Sequence, residues 1–185
     1  MRAALVLFVR GVDRLNTAIA AVFRWLILVS VLVCAATACL RYAFSLGYVW
    51  LQQLYVFCFG VTFLMLAAFA YRKNRHVRVD IFFARMTPRR RAVVEILGIA
   101  VFLLPWLAVL AWSATPFILS AWRILEGSME PGGLPGLYIY KTTLWAFCLT
   151  LGLQAVAELV RNALLLTGED GPEPEAPAPP VPGAL

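Results

Sequence analysis

Few residues in this chain are of a type that does chemistry. There is one histidine, His76. Bis-histidine haem ligation needs two, so a b-type cytochrome anchor is excluded. The four cysteines, Cys34, Cys39, Cys58 and Cys148, stand in apolar stretches without C-x-x-C or zinc spacing. They read as small buried hydrophobes. No G-x-S-x-G, H-E-x-x-H or G-x-x-x-x-G-K-[ST] motif occurs. With no nucleophile–base pair and no ligand set, the chain is expected not to be an enzyme and to hold no cofactor or metal.

The remaining chemistry is polarity in apolar surroundings. Ionisable groups deep in lipid usually mark an ion pathway. Arg24, Arg41, Glu95, Lys141, Glu158 and Arg161 stand inside or beside apolar runs. They are expected near span ends, where long side chains snorkel to water and leave the central thirds uncharged. Gln52, Gln53 and Gln154 are the neutral polar exceptions. Such glutamines join helices by hydrogen bonds worth about 0.6–2 kcal/mol; a substrate contact is the alternative.

These residues must be carried by helices in lipid. The 185-residue chain is 62% hydrophobic, with mean hydropathy +0.82, against about 45–50% apolar in soluble domains. Four stretches reach the roughly 20 residues that cross a hydrocarbon core of about 30 Å. They run near 18–40, 48–71, 93–122 and 137–166. Backbone groups in lipid must pair within the segment, which requires helices. The fold class is therefore all-α integral membrane, a four-helix transmembrane domain over 17–166.

Positive charge sets the expected orientation. Arg2, Arg10, Arg14 and Arg24 precede or open the first span; Arg72, Lys73, Arg75, Arg78, Arg85, Arg89, Arg90 and Arg91 lie between spans two and three. Those twelve share one side, against Arg41, Arg123 and Lys141 on the other. Both termini are thus expected in the cytoplasm. Basic residues that flank apolar runs point to membrane lipid and not to nucleic acid. Ala36-Thr37-Ala38 offers a signal-peptidase match, but cleavage would leave three spans and spoil the charge pattern.

Residues 1–16 carry Leu5, Phe8, Val9, Val12 and Leu15 at helical spacing. This predicts an amphipathic segment, lying in the interface or continuing the first span. Asp80 can cap a second short interfacial helix through Ile81–Phe83. Thr87-Pro88 reads as an N-cap and first helical position opening span three. Pro105 and Pro116 predict kinks. The segment 126–136 (EGSMEPGGLPG) predicts a turn. The acidic, Pro-rich tail 167–185 predicts disorder.

Three stretches carry a resemblance. Arg41-Tyr42-Ala43-Phe44 follows span one, Trp50-Leu51-Gln52-Gln53-Leu54 opens span two, and His76-Val77-Arg78-Val79-Asp80 closes the basic loop. Their order and spacing resemble the small permease subunit, DctQ type, of tripartite ATP-independent periplasmic (TRAP) transporters, over about residues 15–165. Gly132–Gly136 resembles the branch labelled mannitol/chloroaromatic. The resemblance implies a multi-pass protein of the bacterial inner membrane that braces a large permease subunit. That partner would hold the sodium and substrate sites. A periplasmic substrate-binding protein would deliver an organic acid. Arg41, Trp50, Gln52, Gln53 and Gln154 become candidate partner-interface residues. His76, Arg78 and Asp80 would order the cytoplasmic loop or touch the partner or lipid. The family commonly has glutamate where Gln52 and Gln53 stand; here both side chains are neutral, which leaves them a hydrogen-bonding role.

Two other functions fit the spans. A stand-alone small transporter or channel would need a polar line through an oligomer. The small subunit of a tripartite tricarboxylate system has similar size, but the HVRVD stretch argues against it.

Overall fold

A computed structural model of the protein describes residues 2–73 and 86–167. The expected loop motif His76, Arg78 and Asp80, the capped helix after Asp80 and the tail beyond Thr167 lie outside the described residues. Those described are helical, without strands: α1 (Arg2–Phe44), α2 (Val49–Arg72), α3 (Pro88–Gly98), a π-helical turn (Ile99–Leu103), α4 (Leu104–Arg123) and α5 (Leu137–Leu166). With α3, the π turn and α4 taken as one run (Pro88–Arg123), four helices are long and apolar enough to cross a membrane.

The expected spans and the helices agree to within a few residues except at α1. Its 43 residues rise about 65 Å at 1.5 Å each, roughly twice a bilayer core. The boundary expected at residue 16 leaves no break. Val9 and Val12, on the predicted amphipathic stripe, are buried against Ala157 of α5, while Leu5, Phe8 and Leu15 stay exposed.

Thr87 takes the N-cap place with Pro88 first in α3, although its hydroxyl makes no cap bond. Pro105 cannot donate to Val101, and its ring crowds that carbonyl. The wider turn just before it absorbs the crowding, with the Leu104 N–H reaching back to the Ile99 carbonyl. Pro116 sits inside α4.

The packing is inverted relative to a soluble bundle. Many buried positions are small, among them Ala20, Ala68, Ala114, Ala121, Ala155 and Ala157. Large side chains such as Phe63, Phe102, Val109 and Trp112 point outward. In lipid, helices gain nothing from hiding leucine, and close contact between small residues supplies the attraction. The cysteines follow the outward pattern more than the expected burial: Cys34 and Cys39 are exposed, Cys58 and Cys148 half-buried. Helix α5 packs on α1, α2, α3 and α4.

Three contacts fix the antiparallel register of α1 on α2. The Arg72 guanidinium meets the Asp13 carboxylate at 3.3 Å. The Thr62 hydroxyl, which donates to the Cys58 carbonyl of its own helix at 2.7 Å, lies 3.4 Å from the Phe23 carbonyl, and the Ser30 hydroxyl donates to the Tyr55 carbonyl at 2.8 Å. This register puts Arg24 level with Val61, midway along α2, and not near a span end as its position in the apolar run suggests. The reason is that α1 overshoots its neighbours, so its own apolar run does not mark the slab.

Candidate functional site

Two polar clusters close the two ends of the bundle. The first lies at the basic end, where α2 ends and α3 begins. Asp13 sits on the buried stripe of α1, one helical turn before Asn16. The Arg161 guanidinium of α5 donates to the Asp13 carboxylate at 2.7 Å and also pairs with Glu158. Arg72 reaches the same Asp13 from α2, and donates to the Thr17 hydroxyl at 2.9 Å. Gln154 lies between them. Its amide donates to Asp13 at 3.0 Å and to Glu158 at 3.4 Å, and its carbonyl accepts from Asn16 at 2.7 Å. Asn162 extends the cluster to Glu95 of α3 at 3.0 Å.

Two carboxylates and two guanidinium groups at the centre of this cluster cancel one another. Burying a charge is tolerated when it is paired and hydrogen-bonded, and here each charged side chain meets a partner on the same or another helix. Only Asn16 Oδ1 and Arg161 Nε are buried without a partner among the described residues. The arrangement can tie α1, α2 and α5 together. It offers no nucleophile, and no group of three or more His, Cys, Asp or Glu near enough to hold a metal occurs among the described residues.

The second cluster lies at the opposite end. Gln53 of α2 donates to the Ser128 hydroxyl at 2.6 Å and accepts from the Leu134 N–H at 2.8 Å. It thereby pins the 124–136 loop. Positive φ at Gly132 and Gly136 lets that loop turn tightly, and a Cβ on Gly133 would strike Ser128 and Gln53. Lys141 pairs with Glu126 and lies 3.9 Å from the centre of the Phe117 ring. The Trp122 indole donates to Thr142 at 2.8 Å, and Phe57 stacks on Tyr140 at 4.4 Å.

By helical rise, Gln53 and Arg72 are about 28 Å apart along α2, and Lys141 and Arg161 about 30 Å apart along α5. The polar ends are separated by one hydrocarbon thickness.

The structure thus draws Gln53 and Gln154 into hydrogen-bonded clusters at opposite ends. It does not do so for Arg41, Trp50 or Gln52, whose side chains are exposed at the loop end of the α1–α2 hairpin; Trp50 meets Tyr48, ring centres 6.4 Å apart. Asp13 and Asn16 were not among the expected site residues, and Arg72 was expected only as a positive charge that sets the orientation. The available signal was Asp13 itself, an acid on the same helical stripe as Val9, Val12 and Asn16.

Four membrane helices whose described charges near the core are mostly paired internally define a multi-pass helical membrane protein. A family model described as "Tripartite ATP-independent periplasmic transporters, DctQ component" matches residues 29–165, and the chain belongs to that family. It is a transporter component and not an enzyme. No curated protein and no solved structure matches the chain. The match covers Gln53, Gln154, Glu158 and Arg161 but starts after Asp13 and Asn16.

Proposed function

We propose that this chain is the small membrane subunit of a sodium-driven TRAP transporter of the bacterial inner membrane, with both termini in the cytoplasm. It braces a large permease subunit, which carries the sodium and substrate sites. A periplasmic binding protein delivers the substrate, an organic acid. Gly132–Gly136 favours the mannitol/chloroaromatic-like branch. Arg41, Trp50 and Gln52 are the exposed loop-end contacts for the partners. His76, Arg78 and Asp80 order the basic loop or touch the large subunit.

The observation that carries this reading is the closed Asp13–Arg72–Gln154–Glu158–Arg161 cluster inside a family-matched four-span bundle. Intramembrane ionisable groups usually mark an ion pathway, and these are committed to holding helices. The work of coupling then falls to another polypeptide. Co-expression with a large TRAP permease subunit from the same genome tests the proposal. Joint purification in mild detergent is expected. Purification of each protein without the other contradicts it.

A further inference from the structure

Arg24 stands apart from every other charge near the core. It is exposed on α1, level with the middle of the uncharged α2. Among the described residues its guanidinium makes no hydrogen bond or ion pair; it only approaches the Trp25 ring at 5.7 Å. By helical rise it lies about 16 Å from the Asp13–Arg72 end, beyond the reach of its side chain toward that headgroup layer. Lipid tails give a guanidinium no partner at this depth.

The same face carries a recess. Ser30, Cys34, Ala35 and Ala38 of α1 with Tyr55 and Phe59 of α2 are among the residues around about 500 Å³ of open space. Val31, Ala35 and Ala38 follow Arg24 at i+7, i+11 and i+14, within about 40° of one line down the helix. Small side chains let a second helix approach closely. A cation and a shallow apolar track therefore share one stripe of α1.

We propose that this stripe seats a transmembrane helix of the large permease subunit, with a carboxylate of that helix paired to Arg24 near mid-bilayer and small side chains lodged over Ala35 and Ala38. The inference rests on the functional reading above. Charge selects the occupant. A second copy of this chain packed about a two-fold axis through this face would bring Arg24 to Arg24 at one level, two like charges in lipid. A lipid phosphate lies too far along the membrane normal. A buried carboxylate on a partner helix satisfies the guanidinium where it stands.

Recovery of the large permease on a tagged form of this chain tests the inference. Arg24→Glu and Ala35→Trp are each expected to lower recovery at least tenfold, with unchanged helicity and monodispersity of this chain in detergent. Trp112→Ala, on the outer face of α4, is expected to leave recovery intact. Replacing the paired permease carboxylate by arginine should restore recovery with Arg24→Glu. Undiminished recovery with Arg24→Glu or Ala35→Trp overturns the inference, as does an equal loss with Trp112→Ala. If the unaltered chain recovers no permease, the functional reading fails first and this inference with it.

Discussion

Gln53 answers a question that its neighbourhood in the sequence leaves open. Where the family resemblance leads one to expect glutamate, the amide here binds the Ser128 hydroxyl and the Leu134 N–H. A carboxylate can make both contacts, because the Ser128 hydroxyl can donate to it while still accepting from the Glu130 N–H at 3.1 Å. Gln53→Glu is therefore expected to change stability by less than about 1 kcal/mol, whereas Gln53→Leu strands both loop partners and costs about 1–3 kcal/mol. Chemical or detergent unfolding followed by far-UV circular dichroism separates the two. At the other end, Asp13→Leu leaves Arg161 and Arg72 without their shared carboxylate. Removing one partner of a buried pair costs up to about 3–5 kcal/mol; because Arg161 keeps Glu158, the same unfolding assay should show a loss at or below the lower end of that range. A loss within the error of Gln53→Glu would mean that the cluster is not holding the helices. Gln154 was legible as a helix-joining glutamine. Asp13 was not, since a sequence shows that an acid shares a stripe with valines but not that two arginines, 59 and 148 positions away, come to meet it.

The ends of α2, α4 and α5 were legible because their apolar runs match the hydrocarbon thickness, and the turn at 126–136 because glycine and proline dictate it; the start of α1 was not, since that helix continues well past its apolar run. Register was not legible. The depth of Arg24 depends on which residues of α2 lie beside it, and that follows from contacts such as Ser30 with the Tyr55 carbonyl. The form of the Pro105 irregularity was equally hidden: a widened turn relieves the clash where a sequence suggests only a kink. Close approach of α2 to α5 adds a testable detail. A Cβ on Gly60 would overlap the Tyr140 hydroxyl and crowd its ring, which is held by stacking on Phe57. Gly60→Ala is expected to destabilise the bundle by about 1–3 kcal/mol through overpacking. Tyr140→Phe in the same chain should recover part of that loss, because the nearest clashing atom is gone. No recovery in the double variant would show that α2 and α5 do not meet at this point.

At the scale of the whole molecule, charge governs both placement and partnership. Arg89, Arg90 and Arg91 join Arg72 and Lys73 at one end, opposite the end that carries Arg41 and Arg123. The positive-inside rule then predicts that a green fluorescent protein fused after Leu185 glows and that alkaline phosphatase fused there is inactive. The reverse pattern would invert the bundle. Between its ends the protein offers lipid or a neighbour a surface of large apolar side chains and, on one stripe, Arg24. Asp13, Arg72, Glu158 and Arg161 are committed to one another and Lys141 to Glu126; on the proposed reading, ion-driven transport is lent by another chain. Reconstitution in liposomes tests this most directly. Solute uptake under a sodium gradient, with the binding protein supplied, is measured for this chain alone, for the large permease alone and for both. Uptake is expected only when both are present. Uptake by this chain alone, or at full rate by the permease without it, would contradict the account.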